Sequence, residues 1–152
     1  MFRGLTSINM DPKGRMALPT RYRDAVLDRC NGQLIATIDT EEKCLLLYPL
    51  PDWQEIERKI EALPSFNKAA RRVQRLLIGH ATEVEFDSAG RIMIPQLLRD
   101  YANIDKRVML VGQGKKFEIW SEDEWNAKRD EWLSEDSLSE EGLPEMMQNL
   151  SL

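Results

Sequence analysis

The chain has 152 residues, of which 42% are hydrophobic, and a formal net charge of −5 at neutral pH. This length and composition suffice for one domain or for two small fused halves. No apolar run approaches the roughly 18 to 20 residues of a membrane-spanning helix, and Met1-Phe2-Arg3-Gly4 does not begin a secretory signal. We therefore expect a cytoplasmic protein without a membrane partner.

Residues 1–50 form the first predicted unit, in which short strands surround one helix. Leu5 to Met10 alternates apolar and polar residues, which predicts a strand, and Asp11 to Gly14 is a predicted turn. Met16 to Leu18 is the return strand, and Pro19 ends it. We expect these two strands to pair as a hairpin.

The rest of this unit is a helix and a second hairpin. Thr20 is the predicted cap of a helix from Arg21 to Asp28, which Asn31-Gly32 ends. The runs Gln33 to Ile38 and Lys43 to Tyr48 are rich in β-forming residues and are separated by four polar residues, which predicts a hairpin.

Residues 51–80 are predicted to form two helices that link the halves. The first begins around Pro51 and carries one apolar stripe of Trp53, Ile56, Ile60 and Leu63. Pro64-Ser65 breaks it. The second helix, from about Asn67 to Gly79, has a buried side of Val73, Leu76 and Leu77.

Residues 81–120 are predicted to repeat the order of the first unit. The strands are Thr82 to Phe86, Arg91 to Ile94, Val108 to Gly112 and Lys116 to Trp120, with a helix ending at Ala102 before the third. A C-terminal helix over residues 121–133 begins with a Ser cap and an acidic first turn. Residues 134–152 are acidic and rich in Ser, which predicts a flexible tail.

The two units share an internal repeat. A shift of 76 residues places residues 11–24 on residues 87–100 without a gap. Six of the fourteen pairs are identical, namely Asp11/Asp87, Gly14/Gly90, Arg15/Arg91, Pro19/Pro95, Arg23/Arg99 and Asp24/Asp100. A repeat that preserves Gly, Pro and charge indicates two equivalent structural units.

Residues suited to catalysis or metal binding are scarce. Cys30 and Cys44 are the only cysteines and His80 is the only histidine, so one chain cannot assemble a Cys/His metal cage. No nucleophile-elbow, phosphate-loop or metalloprotease motif occurs. We expect no metal site, no cofactor and no enzymatic activity.

Charge is distributed unevenly along the chain. Residues 121–152 carry ten acidic and two basic side chains, so residues 1–120 come to +3. Two groups of basic residues stand out, Arg3, Lys13, Arg15, Arg21, Arg23 and Arg29 in the first, and Lys68, Arg71, Arg72 and Arg75 in the second. A basic face on an acidic protein is typical of a nucleic-acid binder, and a solvated charged face is the alternative that the counts leave open.

The repeated Asp-x-x-Gly-Arg motif has both a structural and a functional interpretation. Gly14 and Gly90 can adopt the positive φ of a tight turn, and the Asp that starts each motif can accept hydrogen bonds from the turn. Arg15 either forms an exposed ion pair with Asp11, or is oriented by that carboxylate toward a phosphate or a guanine edge. The recurrence of the motif and the basic residues near its first copy favour the second interpretation.

Several features together carry a family resemblance. They are Met1-Phe2-Arg3-Gly4, the Asp-x-x-x-Arg elements at Asp11/Arg15 and Asp87/Arg91, Cys44-Leu45-Leu46-Leu47-Tyr48-Pro49, and Arg72-Val73-Gln74-Arg75 followed by Gly79-His80-Ala81. With them the whole chain, least clearly in residues 134–152, resembles the MraZ family of bacterial transcriptional regulators, which is related to AbrB-type factors. The resemblance implies an α+β fold with two tandem swapped-hairpin β units, residues 1–50 and 81–120. These units would pack as a pseudo-two-fold barrel that is linked and flanked by helices.

The resemblance also implies a function. It predicts a sequence-specific DNA-binding repressor that recognises short direct repeats upstream of its own operon, in the division and cell wall cluster, and that assembles as a nucleoid-associated ring of identical subunits. The family's first motif matches Asp11 and Arg15, its N-terminal arginine matches Arg3, and its second motif falls on Asp87 and Arg91. From the residues themselves we predict that Arg15 and Arg3 contact base edges or phosphates, with Lys13 and Arg21 nearer the DNA backbone. A ring-forming scaffold without nucleic-acid specificity is the alternative.

Overall fold

The computed structural model describes residues 1–134 and Leu150, so the predicted tail lies almost entirely outside the described residues. The strands are β1 (Phe2–Asn9), β2 (Arg15–Ala17), β3 (Leu34–Ile38), β4 (Leu45–Pro49), β5 (Thr82–Val84), β6 (Arg91–Met93), β7 (Arg107–Gly114) and β8 (Phe117–Ser121). The helices are α1 (Thr20–Cys30), α2 (Leu50–Glu61), α3 (Lys68–Val73), α4 (Gln96–Tyr101) and α5 (Glu122–Ser134), and a π-helical turn (Gln74–Ile78) continues α3. Within these described helices, none has the length and apolarity that crossing a bilayer requires.

The chain divides into a compact unit, Met1–Glu122, and a second unit that begins at Asp123. The first unit contains a six-stranded antiparallel sheet in the order β1-β7-β8-β4-β3-β5, and a separate antiparallel pair of β2 with β6. The predicted mixture of helices with antiparallel strands is confirmed. The described strands form no closed sheet, because β1 and β5 are edges, so the swapped-hairpin barrel is not confirmed and stays a prediction.

The predicted pairing of β1 with its return strand is wrong. All eight residues of β1 pair with β7, from Phe2 opposite Gly114 to Asn9 opposite Arg107, and β2 pairs with β6. Each strand thus finds its partner in the other half of the chain. The physical reason is length: β2 has three residues and could satisfy only part of β1, whereas β7 matches the backbone donors and acceptors of β1 along its whole length.

The large sheet carries a separate hydrophobic cluster on each face. Alternate residues of a strand point to opposite faces, and in β3 Leu34 and Ala36 pack with the β2–β6 pair while Ile35 packs with α2. The cluster beneath α2 comprises Ile35, Leu46, Tyr48 and Trp53, joined by the partly buried Leu50, Ile56, Leu77, Ile78 and Ala81. The β2–β6 pair and α2 therefore lie on opposite faces of the sheet.

The stripe predicted for the first linking helix is confirmed for all but its last residue. Trp53 and Ile60 are buried and Ile56 is partly buried. Leu63 is 39% exposed because α2 ends at Glu61, two residues before it.

The second linking helix covers the predicted range, but its last part, Gln74–Ile78, is π-helical and not α-helical. The Asn67 side chain caps α3 by accepting hydrogen bonds from the N–H groups of Ala69 and Ala70. Gly79 N–H donates to the Gln74 carbonyl, 3.2 Å away, which is the wider π spacing. A Cβ at Gly79 would lie 2.1 Å from the Arg75 carbonyl oxygen, so this turn requires glycine.

Helix α1 begins differently from the prediction but ends as predicted. Thr20 does not cap α1, since Pro19 occupies that position and the Thr20 hydroxyl instead accepts a hydrogen bond from Arg23 at 2.8 Å. Asn31, with φ of 57°, ends α1 as predicted.

In the second unit, the Trp125 and Trp132 rings meet edge to face with centroids 5.9 Å apart.

Candidate nucleic-acid interface

The pairing of β2 with β6 forms a short two-stranded ribbon that places both motif arginines on one side. Arg15 lies opposite Met93 and Ala17 lies opposite Arg91, while the central Met16 and Ile92 are buried in the core. Side chains alternate along a strand, so the four outer residues share the face that points away from the core. The guanidinium-bearing side chains of Arg15 and Arg91 are 34% and 36% exposed there.

The first loop is built around the Asp11 carboxylate. It accepts hydrogen bonds from the backbone N–H groups of Lys13, at 3.0 Å, and Arg15, at 2.8 Å, and from Arg15 Nε at 2.5 Å. Gly14 has φ of +86° and its N–H donates to the Asp11 carbonyl. The N–H of Arg15, with its guanidinium, holds the pKa of Asp11 below its ordinary value against the opposing effect of desolvation.

The second loop repeats this arrangement almost atom for atom. Asp87 accepts from the N–H groups of Ala89 and Arg91, and Arg91 Nε lies 3.0 Å from the carboxylate. The N–H of Arg91 is the main cause that lowers the pKa of Asp87. Arg91 Nη1 also lies 4.0 Å from the Asp11 carboxylate, so the ribbon brings the two motifs into one electrostatic cluster.

Both arginines are held through Nε alone. Among the described residues, the terminal Nη groups of Arg15 have no hydrogen-bond partner, and those of Arg91 have only the 4.0 Å approach to Asp11. A carboxylate therefore fixes the direction of each side chain, while the two nitrogens that make a bidentate contact stay available. This is the donor pair that suits a guanine O6 and N7 or a phosphate.

Arg23 and Arg99, which are also identical in the repeat, each pack against one of the loops, and the sequence alone did not predict this role. Arg99 donates to the Ile94 carbonyl and reaches the Lys13 carbonyl, and a Cβ at Gly14 would lie 2.6 Å from its Nε. Arg23 takes the equivalent place against Gly90, where a Cβ would lie 1.9 Å from Nη1. Each loop is thus packed against an arginine of the other half. The signal in the sequence was the identity of Arg23 and Arg99 in the repeat.

The remaining predicted residues, Arg3 and Arg21, meet around Tyr22. The Tyr22 hydroxyl donates to the Arg3 carbonyl, and Arg21 Nη2 donates to that hydroxyl at 3.1 Å while its guanidinium stacks on the ring at 4.4 Å. Tyr22 is itself buried against Phe2 and Phe117. Its repeat equivalent is Leu98, and this departure from the repeat is the sequence signal that would have identified it.

The structure brings the predicted residues together in two groups rather than one. Arg15 and Lys13 belong to the loop beyond one end of β1, whereas Arg3 lies near the other end and is separated from Asn9 by six residues, or about 20 Å of strand. Lys13 is exposed, and its backbone N–H, not its side chain, takes part in the loop. The two groups therefore lie at opposite ends of β1.

The described residues contain one cluster of metal-type ligands, Asp39, Cys44 and Glu118, whose ligand atoms lie within 4.8 Å of one another. Burial, followed by the nearby Glu118 and Asp39 carboxylates, raises the pKa of the Cys44 thiol. Burial also raises the pKa of Glu118. Metal binding requires deprotonated ligands, and the raised pKa values of Cys44 and Glu118 oppose deprotonation, so we assign no metal to this cluster.

Comparison with known proteins decides the family. The family described as "MraZ protein, putative antitoxin-like" matches residues 1–76 and again residues 77–143, so the matches follow the internal repeat. The chain belongs to the MraZ family.

Relatives within the family are alike over their full lengths. The chain is 55% identical to the "Transcriptional regulator MraZ" of Coxiella burnetii (strain Dugway 5J108-111), over all 152 residues and 100% of both chains. It is 54% identical to that of Legionella pneumophila (strain Corby) and 52% identical to that of Alkalilimnicola ehrlichii, again over 100% of both chains. These MraZ proteins are named as regulators, which confirms the prediction that the chain is not an enzyme.

Proposed function

We propose that this chain is a DNA-binding transcriptional repressor that recognises short direct repeats upstream of its own operon in the division and cell wall cluster. The observation that carries the proposal is the β2–β6 ribbon. On it Arg15 and Arg91 share one exposed face, and their Nη groups have no hydrogen-bond partner in the part of the chain that the structure describes. A two-stranded ribbon fits the major groove, which is about 12 Å wide. Membership of a family of named transcriptional regulators supports it.

The two groups of basic residues would divide the work. Arg15 contacts base edges or phosphates from the ribbon, with Lys13 on the adjacent backbone. Arg3 and Arg21 make a second contact from the other end of β1, and the stacking of Arg21 on Tyr22 fixes its direction. The β1 strand thus acts as a spacer of about 20 Å between them, which is about six base pairs along the duplex.

Arg91 should contribute less than Arg15. The second loop is preceded by the exposed Glu83 and Glu85, whereas the first loop contains the exposed Lys13. Acidic neighbours make the local potential less favourable to phosphate. The main task of Arg91 would be to hold its own loop and to neutralise Asp11.

One subunit offers few basic contacts, so we propose that a ring of identical subunits supplies several at once in the cytoplasm, associated with the nucleoid. Contact with one repeat raises the effective concentration of the next subunit at the next repeat. The barrel of two swapped-hairpin units belongs to this proposal, as does the division into residues 1–50, 51–80, 81–120, 121–133 and 134–152.

A gel-shift titration of the full chain with DNA from upstream of its own operon, against a scrambled duplex of the same length, tests the proposal. Arg15→Lys keeps the positive charge but loses the two Nη groups that make a bidentate contact with a base. This variant should therefore bind both duplexes with similar affinity. Arg58→Ala is the matched control, because Arg58 is exposed on α2, on the opposite face of the sheet. Equal affinity of the parent for both duplexes would instead favour the scaffold.

A further inference from the structure

The linking helix carries a row of four positive charges that the proposed DNA contact does not use. Lys68, Arg71 and Arg72 lie in α3 and Arg75 lies in the π-helical turn, at spacings of three, four and seven residues. Residues at these spacings lie on one side of a helix. All four are exposed, and none has an ion-pair partner among the described residues. We call these four residues the basic stripe.

The basic stripe is not part of the ribbon or of its two loops. Leu77 and Ile78, at its end, pack with Ile35 beneath α2, while Leu76 packs against the cluster that contains Met16 and Ile92. Among the described residues, no hydrogen bond or ion pair joins the stripe to Arg15, Arg91 or their loops. The stripe is therefore a second positive surface, open to an anionic partner other than the duplex on the ribbon.

The sequence contains a matching polyanion. Residues 135–152 carry five acidic side chains and no basic one, namely Glu135, Asp136, Glu140, Glu141 and Glu145. These five account for the whole net charge of −5, so residues 1–134 have equal numbers of acidic and basic side chains. The basic stripe and this segment are therefore complementary in sign and nearly equal in charge.

Apolar residues lie near the charged residues both at the basic stripe and in residues 135–152. Phe66, two residues before the start of α3, is 91% exposed, and Leu63 is 39% exposed. Residues 135–152 contain Leu138, Leu143, Met146, Met147 and Leu150 between and after their acidic positions. An exposed aromatic ring beside a positive row suits a segment that alternates acidic and apolar residues.

We propose that the basic stripe, with Phe66, docks residues 135–152 of a second copy of this chain. A second copy is chosen because the proposed ring brings identical subunits into contact, and this inference rests on that assembly. The contact would link subunits and would also cover the stripe with carboxylates, which keeps it from binding DNA of any sequence. The proposal does not depend on operator recognition.

The first test measures the binding of a fluorescent peptide, residues 135–152 with their natural sequence, to a variant of the full chain. In that variant, here called the tail-neutral chain, the five acidic residues of the same segment are replaced by Gln or Asn. Anisotropy should show saturable binding that weakens from about 0.05 to 0.5 M salt. Adding Arg71→Ala and Arg75→Ala should weaken it roughly three- to tenfold, as expected for two lost exposed ion pairs. Adding Arg58→Ala and Lys59→Ala removes the same charge from α2 and should change little.

The second test asks whether the contact joins two chains. The chain with Arg71→Ala and Arg75→Ala keeps its acidic segment, and the tail-neutral chain keeps its stripe. Sedimentation should show a larger species for the parent, and for the mixture of the two variants, than for either variant alone. An equal loss in the two double variants, a parent no larger than either variant, or a mixture that only superimposes its components, overturns the proposal. So does an Arg71/Arg75 effect on scrambled DNA with none on the peptide, since the stripe would then be a DNA surface. None of the supporting outcomes uses DNA.

Discussion

The close packing of the first loop predicts that Gly14→Ala destabilises the protein by more than the backbone conformation alone can explain. Gly14 has φ of +86°, which costs an L-residue ~1–2 kcal/mol. A Cβ there would also lie 2.5 Å from the Ile94 carbonyl oxygen and 2.6 Å from Arg99 Nε. Overpacking of this kind costs about 1–3 kcal/mol more, which gives a total of ~2–5 kcal/mol.

Gly114 offers a matched control. Its φ is +85°, but a Cβ there would meet only the flexible Met1 Cε at 3.6 Å. Gly114→Ala should therefore cost only the backbone contribution of ~1–2 kcal/mol. Thermal unfolding followed by circular dichroism, at equal protein concentration, should show a Tm lower by about 5–15 °C for Gly14→Ala and by about 2–8 °C for Gly114→Ala.

The comparison of the two variants isolates the contact between the halves. If both variants lose the same stability, the loop accommodates a methyl group without cost, and the packing of Arg99 against Gly14 does not hold the loop. A further loss in Gly14→Ala alone supports the crossed arrangement.

Three other predictions concern the ribbon arginines, the first loop and the two cysteines. Arg15→Ala should weaken operator binding by ~1–3 kcal/mol per contact with unchanged thermal unfolding, and Arg91→Ala should weaken it less; equal losses in the two folded variants would contradict this division. Because its pKa is lowered on folding, the stabilising effect of Asp11 is complete above its ordinary value of 3.8 and is lost as the pH falls through the folded pKa. The difference in Tm between the parent and Asp11→Asn should therefore shrink as the pH falls below about 4, and a difference that stays constant as the pH is lowered further would refute the linkage. Burial of Cys44 predicts that an alkylating agent modifies Cys30 first in the native chain and both at similar rates in denaturant, as mass spectrometry of the products would show.

Local structure was largely predictable from the sequence because it depends on neighbouring residues. The repeat gave both loops, since an Asp and a positive-φ glycine three residues apart close a turn whatever surrounds it. Helix α2 followed from Pro51 at its start and from its apolar spacing. Leu63 continued that spacing but lies beyond the end of the helix, which the pattern alone cannot locate.

Pairing between the halves could not be predicted from local pattern. The short strand β2 suits a hairpin with β1 equally well, and only the length of β7 favours exchange between the halves. The roles of Arg23 and Arg99 depend on this exchange, because each contacts a glycine far away in sequence. The π-helical turn before Gly79 contacts β3 through Leu77 and Ile78, which pack with Ile35, and the spacing of apolar residues did not distinguish it from an α-helix.

Footprinting of the full chain on the region upstream of its own operon, with the parent and Arg15→Ala compared, tests operator recognition most directly. We predict that the parent protects the direct repeats in register, that scrambled repeats are not protected, and that Arg15→Ala gives no protection at concentrations where Arg58→Ala still does. Protection of both DNAs alike, or an Arg15→Ala footprint equal to that of the parent, would contradict it.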